Sequence, residues 1–133
     1  MNVVLDTNII ISALVFGGKP REIFELIVNG QINGFFSKKL LNELLGVLKI
    51  KFKYIDSELE KIKSLIKQNF IIINPKKIPK IITDDLFDNQ VLAITDFEKI
   101  DFIISGDKHL LNIEKYKNTP IQNPESFLEI AIY

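Results

Sequence analysis

Four carboxylates fall where an α/β sheet would gather them: Asp6, Glu43, Asp88 and Asp107. Asp6 closes the apolar run Val3-Val4-Leu5, which lacks polar alternation and suits a central parallel strand covered on both faces. Ligands of open α/β sheets bind beyond the carboxyl ends of the strands, and Asp6 stands there. Glu43 shares one side of a helix with Leu40 and Val47, a carboxylate in an otherwise apolar row. Asp85 and Asp88 are three apart on one face of a helical first turn, where the macrodipole favours acids. Asp107 follows the apolar segment Phe102-Ile103-Ile104 and the break Ser105-Gly106.

Each acid also has a plainer reading. Asp6 and Asp107 suit helix caps, Asp84 or Asp85 would cap the helix that holds Asp88, and Glu43 could lie at a core boundary and reach into water. A third acid in one turn, Asp88, adds repulsion that something should offset. Together, four uncompensated carboxylates at one sheet edge would repel strongly, and a divalent cation resolves the conflict. An all-oxygen ligand set, with no cysteine and one histidine in the chain, selects Mg2+ or Mn2+ over zinc. One ion leaves a local charge of about −2 and two leave about zero, so the site is expected to hold one or two, with nearby lysines such as Lys108 as another source of positive charge. An ion there would activate water for in-line attack on a phosphodiester.

The elements that must position these residues alternate between strand and helix. Residues 9–15 read as a short apolar helix ended by Gly17-Gly18, and Pro20 is placed as the first residue of a second helix running to Val28. Gly34 to Phe36 form a strand, and Ser37 caps a helix over 38–50 with Leu41, Leu44, Leu45 and Leu48 inward. Asp56 or Ser57 starts another helix, with Leu59, Ile62, Leu65 and Ile66 facing in. Residues 70–73 are a strand, 74–79 a loop with two prolines, and Ile81-Ile82 a brief extended segment. A helix to about Phe97, a strand over 102–104, an edge strand over Pro120–Gln122 and a closing helix from Pro124 complete the chain. This order argues for a parallel sheet between helical layers, joined by right-handed crossovers, in one domain spanning 1–133.

Composition narrows the function. The chain has 133 residues, 47% of them hydrophobic, enough for one core. With 17 basic and 17 acidic residues, nothing global announces a polyanion partner, so nucleic-acid contacts must be local. The absence of cysteine excludes disulfides and thiolate nucleophiles. No stretch reads as a secretion signal or a membrane span, and a cytoplasmic location with no membrane partner is expected.

The segments Val3-Val4-Leu5-Asp6-Thr7-Asn8, Asp85-Leu86-Phe87-Asp88-Asn89-Gln90-Val91-Leu92-Ala93 and Asp101-Phe102-Ile103-Ile104-Ser105-Gly106-Asp107-Lys108-His109-Leu110-Leu111 resemble, in this order and spacing, the PIN domain family. That family includes many toxin components of toxin–antitoxin pairs. The resemblance implies a three-layer α/β/α sandwich and a metal-dependent endonuclease for single-stranded RNA, with a cognate antitoxin and a homodimer as further expectations. It also implies that Asp6, Glu43, Asp88 and Asp107 are catalytic metal ligands, that Asn8 and Ser105 support the first and last acids, and that Asp85 is a cap or an outer support. His109 stands where the family often has another acid. Lysines at the rim would meet RNA, with Lys38, Lys39 and Lys108 the first candidates and Lys49, Lys51 and Lys53 further ones; ordinary solvated surface is the other reading for most of them. Two alternatives remain open. One is a catalytically silent PIN-like module that binds RNA or protein. The other is a receiver or haloacid-dehalogenase-like phosphotransfer domain, although Asn8 holds the place of the second acid expected of the latter and Ser37 follows Phe36 where a receiver needs a phosphoacceptor.

Overall fold

The computed structural model describes residues 1–79 and 86–132, with the side chains of 86–88 and 132 outside the description. The chain begins with β1 (Asn2–Leu5), in which Val3, Val4 and Leu5 are all fully buried. Successive strand side chains point to opposite faces, so burial of all three means that both faces of the sheet are covered. The helix α1 (Thr7–Val15) starts at once because Asp6, extended at φ −74° and ψ 166°, caps it. Gly17 and Gly18 then take φ of 85° and 69° and reverse the chain into α2 (Gly18–Val28). Pro20 is therefore the third helical residue, not the first. The position tolerates it because the first four N–H groups of a helix have no intrahelical acceptor.

Next come β2 (Asn33–Ser37) and α3 (Lys38–Ile50), with the Ser37 hydroxyl accepting from the Leu40 N–H at 3.1 Å. Leu40, Leu41, Leu44 and Leu48 are its buried side; Leu45 is only half-buried. The helix α4 (Asp56–Asn69) starts at Asp56 as expected, and Glu58 reaches back to accept the Ile55 N–H at 2.9 Å. Ile66 is its buried anchor, with Leu59, Ile62 and Leu65 packed at the margin. After β3 (Phe70–Ile73) comes α5 (Leu86–Phe97), whose residues Asn89 to Ile94 are all buried, as expected of a helix enclosed on every side. The expected segment Ile81-Ile82 and the cap at Asp84 or Asp85 lie outside the described residues. The chain closes with β4 (Phe102–Ile104), α6 (Lys108–Leu111), β5 (Lys115–Tyr116), β6 (Thr119–Gln122) and α7 (Pro124–Ile132).

The strands form one sheet in the order β3-β2-β1-β4-β6-β5, flanked by the helices in the three-layer arrangement expected. Every described pairing is parallel except β5 with β6, so the sheet is mixed at one margin instead of wholly parallel. The segment Pro120–Gln122 is not the edge, since β5 covers it. Lys117 and Asn118, at φ 46° and 71°, make the tight turn of this hairpin without a glycine. The order grows from β1 through β2 to β3 and then returns to place β4 on the other side of β1. That reversal between β1 and β4 opens a crevice at their carboxyl ends.

Candidate functional site

The register of β1 with β4 pairs Leu5 with Ile104, so the residues just past each strand, Asp6 and Ser105, meet side by side. The Asp6 N–H donates to the Ile104 carbonyl at 3.1 Å, extending the ladder by one step. Asp6 is only 3% exposed. One of its carboxylate oxygens, Oδ1, accepts the Ile9 N–H at 3.0 Å, and the other, Oδ2, accepts the Ser105 hydroxyl. Ser105, fully buried, also accepts the Asp107 N–H on its Oγ at 2.9 Å, so one hydroxyl links the first and last acids. Asp107 in turn caps α6, accepting the His109 N–H at 2.7 Å, and lies 3.6 Å from His109 Nδ1. Both aspartates thus cap helices and face one crevice. The capping bonds fix the carboxylates in place.

Burial pushes the Asp6 carboxyl up to about 6, and the charge of Asp107 pushes in the same direction; the Ser105 hydroxyl and the Ile9 and Asn8 N–H groups oppose them. A buried carboxylate whose charge is this poorly compensated is a place where a cation would lower the energy. Glu43 approaches from α3, where Thr7 Oγ1 donates to its Oε2 at 2.8 Å. Because Thr7 follows Asp6 directly, this contact brings the third acid to the same edge. Asp88 falls in the first turn of α5, the helix that runs from this edge back to the start of β4, but its side chain lies outside the described residues, as does Asp85. Among the described residues no three acidic or histidine side chains are set closely enough to hold a metal ion. The described candidate donors, Asp6, Glu43 and Asp107, offer carboxylate oxygens only, which is the donor chemistry a hard divalent cation prefers.

An open cleft of about 530 Å³ lies over Asp107, lined among the described residues by Asn8, Ser12, Gly106, Lys108 and His109. The Asn8 side chain is exposed in this cleft, and it is the Asn8 backbone that faces Asp6. Lys108 is exposed on the rim. Lys38 and Lys39 are exposed in the first turn of α3, where the Lys38 N–H donates to Asn74 Oδ1 at 3.3 Å. Lys49, Lys51 and Lys53 are exposed at the other end of that helix.

Two residues of the site, Thr7 and Ser12, and one buried amide elsewhere, Gln90 on α5, escaped the sequence reading. Thr7 reads locally as the start of a helix, and its bond to Glu43 joins residues 36 apart, which no local pattern shows. Ser12 was legible, since it lies one turn after Asn8 on the same ridge of α1. Gln90, two residues after Asp88, is buried, and among the described residues its Oε1 has no hydrogen-bond partner, whereas a buried polar atom ordinarily has one.

A family model for the PIN domain matches residues 2–109, which takes in β1, α3, α5, β4 and every acid discussed above. No curated protein matches the chain.

Proposed function

Because the chain belongs to the PIN domain family, whose members are typically nucleases that use divalent metals, we propose that it is an Mg2+- or Mn2+-dependent endonuclease hydrolysing phosphodiester bonds in single-stranded RNA. The observation that carries this reading is the juxtaposition of buried Asp6 with Asp107 through Ser105, at the crevice where the strand order reverses. Asp6, Glu43, Asp88 and Asp107 would hold the metal. When bound, it would supply Lewis-acid stabilisation of the phosphoryl oxygens and a more acidic water.

The chain's own groups have separate tasks in this scheme. Ser105 aims Asp6 and favours its ionised form by donating to it, against the larger effect of burial, and fixes Asp107 through its backbone. Thr7 orients Glu43. Asn8, Lys108 and His109 line the cleft where the scissile phosphate would lie, and Lys108 offers a cation to it. With no net charge on the chain, affinity for generic RNA would be modest and salt-sensitive. The toxin role, a protein antitoxin and a homodimer belong to the same proposal as its cellular setting.

Cleavage of end-labelled single-stranded RNA, the same sequence as DNA, and duplex RNA, each with Mg2+, tests the substrate class. Selective cutting of the single-stranded RNA is expected. Cutting confined to duplex, or equal cutting of DNA, contradicts it. Induced expression should arrest growth through the same acids, so an arrest that persists with Asp88→Asn removes the toxin role.

A further inference from the structure

An exposed aromatic and basic surface lies apart from the acids. Phe16, just past α1, is 76% exposed and meets Phe52 edge-on, with ring centroids 6.2 Å apart. Phe52 belongs to the stretch Lys49-Ile50-Lys51-Phe52-Lys53-Tyr54-Ile55, in which lysines alternate with apolar and aromatic residues and no acid occurs. All three lysines are exposed, Ile50 and Ile55 are 71% and 62% exposed, and Phe52 and Tyr54 are half-buried, packed against the core on one side. The turn is held: the Tyr54 N–H donates to the Leu48 carbonyl at 3.0 Å, with Lys53 in the left-handed region at φ 59°. Exposed apolar side chains that stand together and are rimmed by polar residues, unlike ones scattered singly, mark interaction sites.

The surface is continuous with the cleft along one ridge of α1. Asn8 and Ser12 line the cleft, and Phe16 follows at the same spacing of four. Eight residues of helical rise put Phe16 about 12 Å from Asn8, a distance of about three to four nucleotides at a stacked rise of about 3.4 Å.

We propose that Phe16, Phe52 and the lysines of 49–55 form a stacking platform for the RNA strand that leaves the cleft. This rests on the reading of the site as an RNA nuclease. Rings accept bases of any sequence while lysines neutralise the phosphates between them, which is the pairing of groups that single-strand binding uses. An apolar protein helix laid on the same surface would bury three ammonium groups without partners, which is unfavourable.

The test is fluorescence anisotropy of a labelled single-stranded RNA dodecamer in EDTA, where no cutting occurs. Phe16→Ala and Phe52→Ala should each weaken binding by about five- to 150-fold. Phe16→Trp should retain it, and Lys51→Ala should lower the log–log salt slope by about 0.7. Phe52→Leu, which keeps apolar packing but removes the ring, should lose binding as Phe52→Ala does. Ile71→Ala, on β3, should bind as wild type. No binding by wild type, or wild-type affinity in both alanine variants, overturns the platform. A change in light-scattering mass with RNA affinity unaltered also overturns it and gives the surface to a second copy. RNA cleavage by a protein whose Phe variants bind normally would sink the platform and spare the nuclease. Ring-dependent binding without cleavage under any metal would do the reverse.

Discussion

At the scale of single residues, Asp6 is the buried, electrostatically strained carboxyl of the proposed site. Its carboxyl is raised to about 6 from 3.8, chiefly by burial and then by Asp107. A folded-state value above the unfolded one means that the proton stabilises the fold. That contribution is complete below about pH 4 and is lost as pH rises through 6, up to about 3 kcal/mol at neutral pH in the metal-free protein. Asp6→Asn keeps an oxygen for the Ile9 cap and removes the charge, so in EDTA it should be more stable than wild type at pH 7.5 and equal to it near pH 4. Urea unfolding at the two pH values checks this. Mg2+ should close the gap by stabilising wild type alone, since a cation favours the ionised carboxylate. A variant less stable than wild type at pH 7.5 in EDTA would show that Asp6 is a structural cap only.

At the scale of elements, the site depends on how closely β2 can be covered. A Cβ on Gly34 would lie 2.8 Å from Ile27 Cδ1 and 2.8 Å from the Phe70 ring, and Phe70 also meets Phe24 and Phe36. Gly34→Ala should therefore destabilise by about 1–3 kcal/mol through overpacking, read as a lower urea midpoint at unchanged slope. The layered frame was legible because the run Val3 to Leu5, the leucine stripe of α3 and the glycine pair after α1 are local signals. The ends of elements were less so. The helix α4 starts at Asp56 as expected, but its capping group is Glu58, reaching back from within the helix to the Ile55 N–H, and β5 escaped because Lys117-Asn118 turns with positive φ where a glycine would have announced it. The acids at β1 and β4 were placed by strand ends alone, whereas the Thr7–Glu43 bond depends on how α1 and α3 pack.

At the scale of the whole molecule, equal numbers of basic and acidic residues leave no general field for a polyanion. Among the described residues no helix is long and apolar enough to cross a membrane. The proposed function therefore rests on local geometry, namely a reversal of strand order that sets two helix-capping aspartates against one hydroxyl, with a cleft beside them. Activity should follow that geometry and the cation together. The direct measurement is cleavage of end-labelled single-stranded RNA by wild type and Asp6→Asn, each in Mg2+ and in EDTA. Cleavage by wild type in Mg2+ only, with a loss in Asp6→Asn larger than the roughly hundredfold that removing an outer partner of a metal ligand gives, is the expected result. Undiminished cleavage by Asp6→Asn, or cleavage in EDTA, would contradict a metal-dependent nuclease site at the end of β1.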